Sequence, residues 1–339
     1  MRGRSEEKAS ANAHRAPHPS LLTPDRGAYQ APRWLPGGHA QTIYPVLFAP
    51  RPRVAYRRER WATPDDDFVD VDWAGDRGNA PLVALFHGLE GSSRSHYALA
   101  LMHEAVNAGW RGVVVHFRGC SGEPNRLARA YHSGDSAEID WIVRRLARDT
   151  PALYVAGVSL GANALLRWLG ERGDEAGGIV VGAAAVSAPL DLMAAGNALD
   201  RGFNLVYTRH FLHTMRRKAI AKLAQHPGVY PHDVVARART LREFDNVVTA
   251  PLHGYRDTDD YWTRASSKPI LRHIAVPTLI LNARNDPFLP AAALPSPADV
   301  PPAVTLEQPA EGGHVGFVSG PFPGRLNWLP ARLMAHFRH

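Results

Sequence analysis

The residue types best suited to chemistry in this chain are a serine, an aspartate and a histidine set far apart. Gly157-Val158-Ser159-Leu160-Gly161 follows the apolar stretch Leu153 to Ala156 and precedes a helical pattern opening at Ala162. At such a strand-to-helix elbow the serine is held in a strained conformation with its hydroxyl projecting from the sheet edge. The flanking glycines remove side chains that would clash in so tight a turn. The same position also suits a plain helix N-cap serine. A serine hydroxyl becomes a useful nucleophile only when a general base takes its proton and a carboxylate orients that base. In this kind of fold the chain order is serine, acid, histidine. Asp286 lies in Leu281-Asn282-Ala283-Arg284-Asn285-Asp286-Pro287, and His314 lies in Gly312-Gly313-His314-Val315-Gly316. Each sits just beyond the carboxyl end of an expected strand, where open α/β sheets gather their sites. Asp191, Asp257, Asp259 and Asp260 compete as the acid, but the last three lie in a stretch with no strand before them. The chemistry implied is acyl transfer, with Ser159 as nucleophile, His314 as base and Asp286 as acid.

A tetrahedral oxyanion needs two N–H donors. Leu160 N–H, directly after the nucleophile, is one. The loop Phe86-His87-Gly88-Leu89-Glu90-Gly91 follows another apolar strand and offers Leu89 N–H as the second. His87 reads as structural, since it precedes Ser159 in a loop of backbone donors. Cys120 is the sole cysteine, so no intramolecular disulfide can form, and it reads as a small packed thiol. His210 and His213 are spaced for one helical face, but two ligands without a third do not make a metal site. The glycine clusters fit neither a P-loop nor a dinucleotide fingerprint. No cofactor and no metal are expected.

These residues need a sheet to position them. Pro81 to Phe86, Gly112 to Phe117, Ala152 to Ala156, Gly178 to Val186 and Thr278 to Asn282 are apolar runs without alternation, each read as followed by a helix. That is the signature of parallel strands buried on both faces. Val304 to Glu307 reads as a further strand. Phe68 to Trp73 alternates and has the period of a half-buried strand. The helix from about Ala137 to Arg148 puts Ile139, Ile142, Val143 and Leu146 on one face. From about residue 191 to 267 the rhythm breaks, and the stretch reads as a helical cap inserted after the sixth strand. Within it Phe211, Met215, Ala219 and Leu223 share a face, while Arg216, Arg217 and Lys222 point elsewhere. Phe211 and Met215 are the candidate substrate contacts, in an apolar, aromatic lining that favours an uncharged acyl chain.

The 339 residues are 45% hydrophobic and 21% charged, with a formal net charge of +7, as in a globular domain with a full-sized core. Residues 1–60 hold 11 Lys/Arg and 4 Asp/Glu, so the remaining 279 residues balance at 28 against 28. A nucleic-acid-binding body should carry its own basic stripe, and nucleic acid is not expected as a partner. No apolar run reaches the roughly 18 residues of a membrane span, and no secretory signal is recognisable. A cytoplasmic location is the default expectation. Residues 1–30 read as a disordered tail and 31–339 as one domain. The pattern leaves the oligomeric state open.

Several segments together resemble the YheT-like hydrolases of the α/β-hydrolase superfamily, which are related to eukaryotic ABHD-type lipases. They are Arg33-Trp34-Leu35-Pro36-Gly37-Gly38-His39-Ala40-Gln41-Thr42, His87 to Ser93, Phe117 to Asn125, Gly157 to Gly161 and Thr249 to Gly254. One departure is Ala162, where a glycine is frequent. The resemblance implies an α/β-hydrolase fold, a mostly parallel sheet with helices on both faces, and a serine hydrolase of carboxylic esters. It also implies nucleophile Ser159, acid Asp286 and base His314, acting on a small-molecule acyl ester. The same residues would serve a thioesterase, an amidase or an acyltransferase. A non-catalytic binding protein on this fold is a remoter alternative, since such proteins usually break one of the three positions.

Overall fold

The computed structural model describes residues 29–339. Most of the expected tail therefore lies outside the described residues, but its boundary needs correction. Tyr29 is buried, donates its hydroxyl hydrogen to Val318 O at 2.7 Å and packs edge-on against Phe317 and Trp328. The body of the protein includes Tyr29.

After helix α1 (Gly38–Leu47), strands β1 (Arg57–Ala62) and β2 (Phe68–Ala74) form an antiparallel hairpin. Then follow β3 (Leu82–Phe86), α2 (His96–Asn107), β4 (Arg111–Val115), α3 (Ser136–Ala147), β5 (Leu153–Val158), α4 (Leu160–Arg172) and β6 (Gly182–Val186). The chain closes with β7 (Thr278–Leu281) and β8 (Val304–Glu307) in the sheet and a C-terminal helix. The sheet order is β1-β2-β4-β3-β5-β6-β7-β8, parallel from β4 onward, with β2 antiparallel to β4.

The unbroken apolar strands reflect burial on two sides. Leu82, Ala84 and Phe86 of β3 join one core with α3 and α4, while Val83 and Leu85 join another with α2 and the C-terminal helix. Burying one such side chain contributes about 1.5–3 kcal/mol. Helix α3 follows its apolar period, with Ile139, Ile142, Val143 and Leu146 inward and Asp135 accepting from Glu138 N–H at its start.

The expectation for β2 needs correction. Its alternate residues do not face water: Asp70 and Asp72 are buried beneath Arg60 and Arg58 of β1, each guanidinium making a pair of bonds to one carboxylate at 2.7–2.9 Å. Alternation in this strand marks two buried faces, one apolar and one ionic.

Between β6 and β7 the chain is helical: α5 (Leu192–Leu199), α6 (Leu205–Gln225), α7 (His232–Arg237), α8 (Leu241–Phe244), α9 (Ala250–Leu252) and α10 (Thr258–Ala265). They have their own apolar cluster, including Leu212, Phe244, Tyr261 and Trp262. The C-terminal helix, α11 (Trp328–Phe337), packs on α2.

Candidate active site

Ser159 joins β5 to α4 at φ 53°, ψ −120°, a conformation that a residue with a Cβ rarely adopts. Its N–H is tied to Val186 O at 2.9 Å. The turn is feasible only because its neighbours are glycines. A Cβ on Gly161 would lie 2.4 Å from Phe86 O, and one on Gly157 would lie 2.6 Å from Ala162 Cα. Strand β5 is central, so the turn lifts the Ser159 hydroxyl above the middle of the sheet's carboxyl edge.

The structure brings Asp286 and His314 to that hydroxyl. His314 Nε2 lies 3.0 Å from Ser159 Oγ, and His314 Nδ1 lies 2.9 Å from Asp286 Oδ2. Asp286 is buried and its other oxygen accepts from Phe288 N–H at 2.8 Å. A carboxylate against Nδ1 assigns the proton there and leaves Nε2 as acceptor for the serine hydroxyl. The Phe288 ring stacks on the imidazole, centroids 4.0 Å apart at 22°.

The His314 loop is held by residues that sequence reasoning did not assign. From α1, Gln41 Oε1 accepts Gly312 N–H and Thr42 Oγ1 accepts His314 N–H, each at 2.9 Å. Asn285 Oδ1 accepts Gly313 N–H, and Ser187 Oγ accepts Val315 N–H. His96 Nε2–H donates to Val315 O at 2.9 Å. These bonds hold Val315 at φ 59°, strained for a β-branched residue. Gln41 and Thr42 end the first segment of the YheT-like resemblance, the one sequence signal that could have pointed to them.

Leu89 and Leu160 both line the cavity beside Ser159. Gly88 N–H is bound by Tyr97 Oη and Glu90 N–H by Tyr131 Oη, each at 2.9 Å. Leu89 N–H between them, like Leu160 N–H, has no acceptor among the described residues. Lys218 of α6 pairs with the Glu90 carboxylate at 2.9 Å, linking that helix to the loop. His87 is fully buried, and burial pushes its pKa down to about 3. The neutral ring accepts Phe117 N–H at Nε2 and donates from Nδ1 to Gly88 O, so both nitrogens are occupied.

The cavity measures about 840 Å³, and Ser159, His314, Phe211 and Met215 share it. Tyr261 and Trp262 also line it, whereas Leu212 is buried away from it and Phe203 faces solvent. The expected direction of Lys222 needs correction. Its ammonium turns inward to the cavity wall and donates to Asn125 O and Oδ1, because Asn125 presents two acceptors at that depth. Cys120 is half-buried on the same wall, where burial pushes its thiol up to about 11. It is a thiol rather than a thiolate near neutral pH. Arg118, in the same loop, is buried against Asp65, Asp67 and Glu138, which anchors the segment. His210 and His213 are exposed, and among the described residues no group of three or more His, Cys, Asp or Glu could hold a metal. No helix among them is long and apolar enough to cross a membrane.

Residues 81–321 match the model of the alpha/beta hydrolase fold family. The chain is 41% identical over 303 residues to a protein of Escherichia coli K12 named putative esterase YheT, covering 87% of this chain and 88% of that one. The chain belongs to the α/β-hydrolase family, in its YheT-like branch. It is also 31% identical to mouse phospholipase ABHD3 over 309 residues, covering 87% of this chain and 74% of the relative. The solved structure of the esterase EaEST from Exiguobacterium antarcticum superposes with a TM-score of 0.54 at 16% identity, covering 83% of this chain and 99% of that one. At that identity the likeness concerns the hydrolase fold alone. Within this α/β-hydrolase, Ser159, Asp286 and His314 stand at the carboxyl ends of β5, β7 and β8.

Proposed function

We propose that this hydrolase cleaves carboxylic esters through an acyl-enzyme at Ser159. The observation that carries the reading is the continuous hydrogen-bonded line Ser159 Oγ, His314 Nε2 and Nδ1, Asp286 Oδ2 at 3.0 and 2.9 Å. As Ser159 Oγ attacks the ester carbonyl carbon, its proton passes to His314 Nε2, and the buried Asp286 carboxylate stabilises the imidazolium. The carbonyl oxygen gains charge between Leu89 and Leu160 N–H, and one such donor contributes about 3–4 kcal/mol to the transition state. Collapse breaks the C–O bond, and the leaving alkoxide takes the proton from Nε2. Water, deprotonated by the same nitrogen, then attacks the acyl carbonyl, releasing the acid and restoring the serine. The names of the relatives, an esterase and a phospholipase, favour an ester over an amide.

We assign residues 191–267 as the cap that selects substrates, with Phe211 and Met215 against the acyl chain. Each buried methylene contributes about 0.8 kcal/mol, close to fourfold in kcat/KM. Hydrolysis of p-nitrophenyl esters tests both parts of the reading. Turnover should rise from acetate to a short- or medium-chain optimum and vanish in Ser159→Ala, and Phe211→Ala or Met215→Ala should move the optimum. A flat profile untouched by the cap substitutions would reject the cap assignment, and turnover that survives Ser159→Ala would reject the nucleophile.

A further inference from the structure

Most large apolar side chains exposed on the described body gather around α1. Val46, Leu47, Phe48, Phe203, Val206 and Phe322 account for six of nine, with Leu47, Phe48 and Phe322 at 63%, 66% and 73% exposure. They are connected. Trp34 touches Phe322 and Tyr44, Tyr44 touches Phe48, and His39 at the other end of α1 touches Phe203. His39, Ile43, Val46 and Leu47 follow the i, i+4, i+7, i+8 spacing of one helix face. The opposite side of α1, with Gln41 and Thr42, is buried against the His314 loop.

The segments that form this face carry charge of one sign, and the nearby carboxylates of Glu311 and Asp200 are turned to Gln41 and to Leu241 N–H. Residues 29–58 contain no Asp or Glu, and neither do residues 318–327. Arg33, Arg51, Arg53 and Arg325 are exposed here, and none pairs with a carboxylate among the described residues. Arg201 and Arg209 are likewise exposed beside Phe203 and Val206. A second copy of the chain would set arginine against arginine on such a face. Apolar tips fringed by arginines complement an interface with acyl chains at one depth and anionic headgroups above them.

We propose that the α1 face, with Phe322 and the start of α6, docks the protein on an anionic lipid bilayer. The docking is peripheral and does not depend on the ester reading. Flotation of the full chain with vesicles of phosphatidylcholine, with and without phosphatidylglycerol, tests it. Binding should require phosphatidylglycerol, weaken as salt is raised, and fall about tenfold or more when two inserted side chains become charged in Leu47→Glu/Phe48→Glu. Phe322→Glu, in a separate loop, should weaken it too. Both variants should melt cooperatively within a few degrees of wild type, which shows that they fold. Binding that ignores both substitutions, or no binding at all, would overturn the proposal. So would a wild-type dimer in light scattering that the double variant disperses, since the face would then belong to a second copy.

Discussion

At Ser159 and around His314 the backbone occupies conformations that side chains disfavour. Ser159, Ser187, Val315 and Phe317 all lie at positive φ, between 40° and 59°. Such strain persists only where surrounding bonds over-determine it: Gln41, Thr42, Asn285 and His96 supply those bonds around Val315, and Val186 O and Leu281 O hold Ser159 and Ser187 by their N–H groups. Ser159, Asp286 and His314, which the structure brings into one hydrogen-bonded line, were legible as candidates because the chemistry proposed for them dictates residue type, chain order and place after a strand. Gln41 and Thr42 were not: an amide and a hydroxyl have no chemical signature, and only the fold carries them to a loop some 270 residues away. The acid is the assignment most open to direct test. Replacing Asp286 by Asn puts an amide against Nδ1 and favours the wrong tautomer, so kcat should fall by about 10⁴ with little change in melting temperature. Asp257→Asn and Asp259→Asn should stay near wild type, since Asp257 starts α10 and Asp259 pairs with Arg242 at the surface. Steady-state ester hydrolysis decides it. An inactive Asp259→Asn beside an active Asp286→Asn would move the acid elsewhere.

Among the elements, the buried parallel strands were easiest to read, because burial on both faces leaves an unbroken apolar run. The edge hairpin was not. β1 reads Arg-Arg-Glu-Arg-Trp-Ala, which has no apolar period, and it is a strand because its arginines close over Asp70 and Asp72 of β2. α11 was equally hidden, since Pro330 in its first turn reads as a break although a missing N–H costs nothing there. The hairpin's ionic layer makes a stability prediction. Burial raises the pKa of Asp72, but bonds from Arg58, His116 and Ser93 outweigh it and hold the carboxyl well below its usual range. A depressed carboxyl contributes stability that is present above the unfolded pKa near 3.8 and is lost as pH falls through the folded value. Asp72→Asn should therefore cost about 3 kcal/mol at neutral pH, the low end for a buried pair because Arg58 is half exposed. Thermal melts of both proteins should converge as pH drops below about 4. A gap that is independent of pH would mean that the residue stabilises by packing rather than by charge.

On the scale of the whole molecule, the site exists only where distant segments meet. Ser159 and His314 are 155 residues apart in sequence, and the histidine's loop is held by a helix that precedes the entire sheet. The charge distribution was partly legible at this scale: residues 61–339 balance at 28 against 28, but residues 29–60, which belong to the body, add six arginines and one glutamate. The tail boundary was less so, because one tyrosine beside polar residues does not reveal that it will be buried 289 residues away under Val318. An assembled triad makes one serine far more nucleophilic than the others in the chain, and only while the fold is intact. A fluorophosphonate probe followed by intact mass and peptide mapping reads that property directly. The native chain should gain a single adduct, mapped to the peptide containing Ser159. The adduct should be absent from Ser159→Ala and from heat-unfolded wild type, and should form far more slowly in His314→Ala. A folded wild type that takes up no probe, or an adduct that persists in Ser159→Ala, would contradict the account.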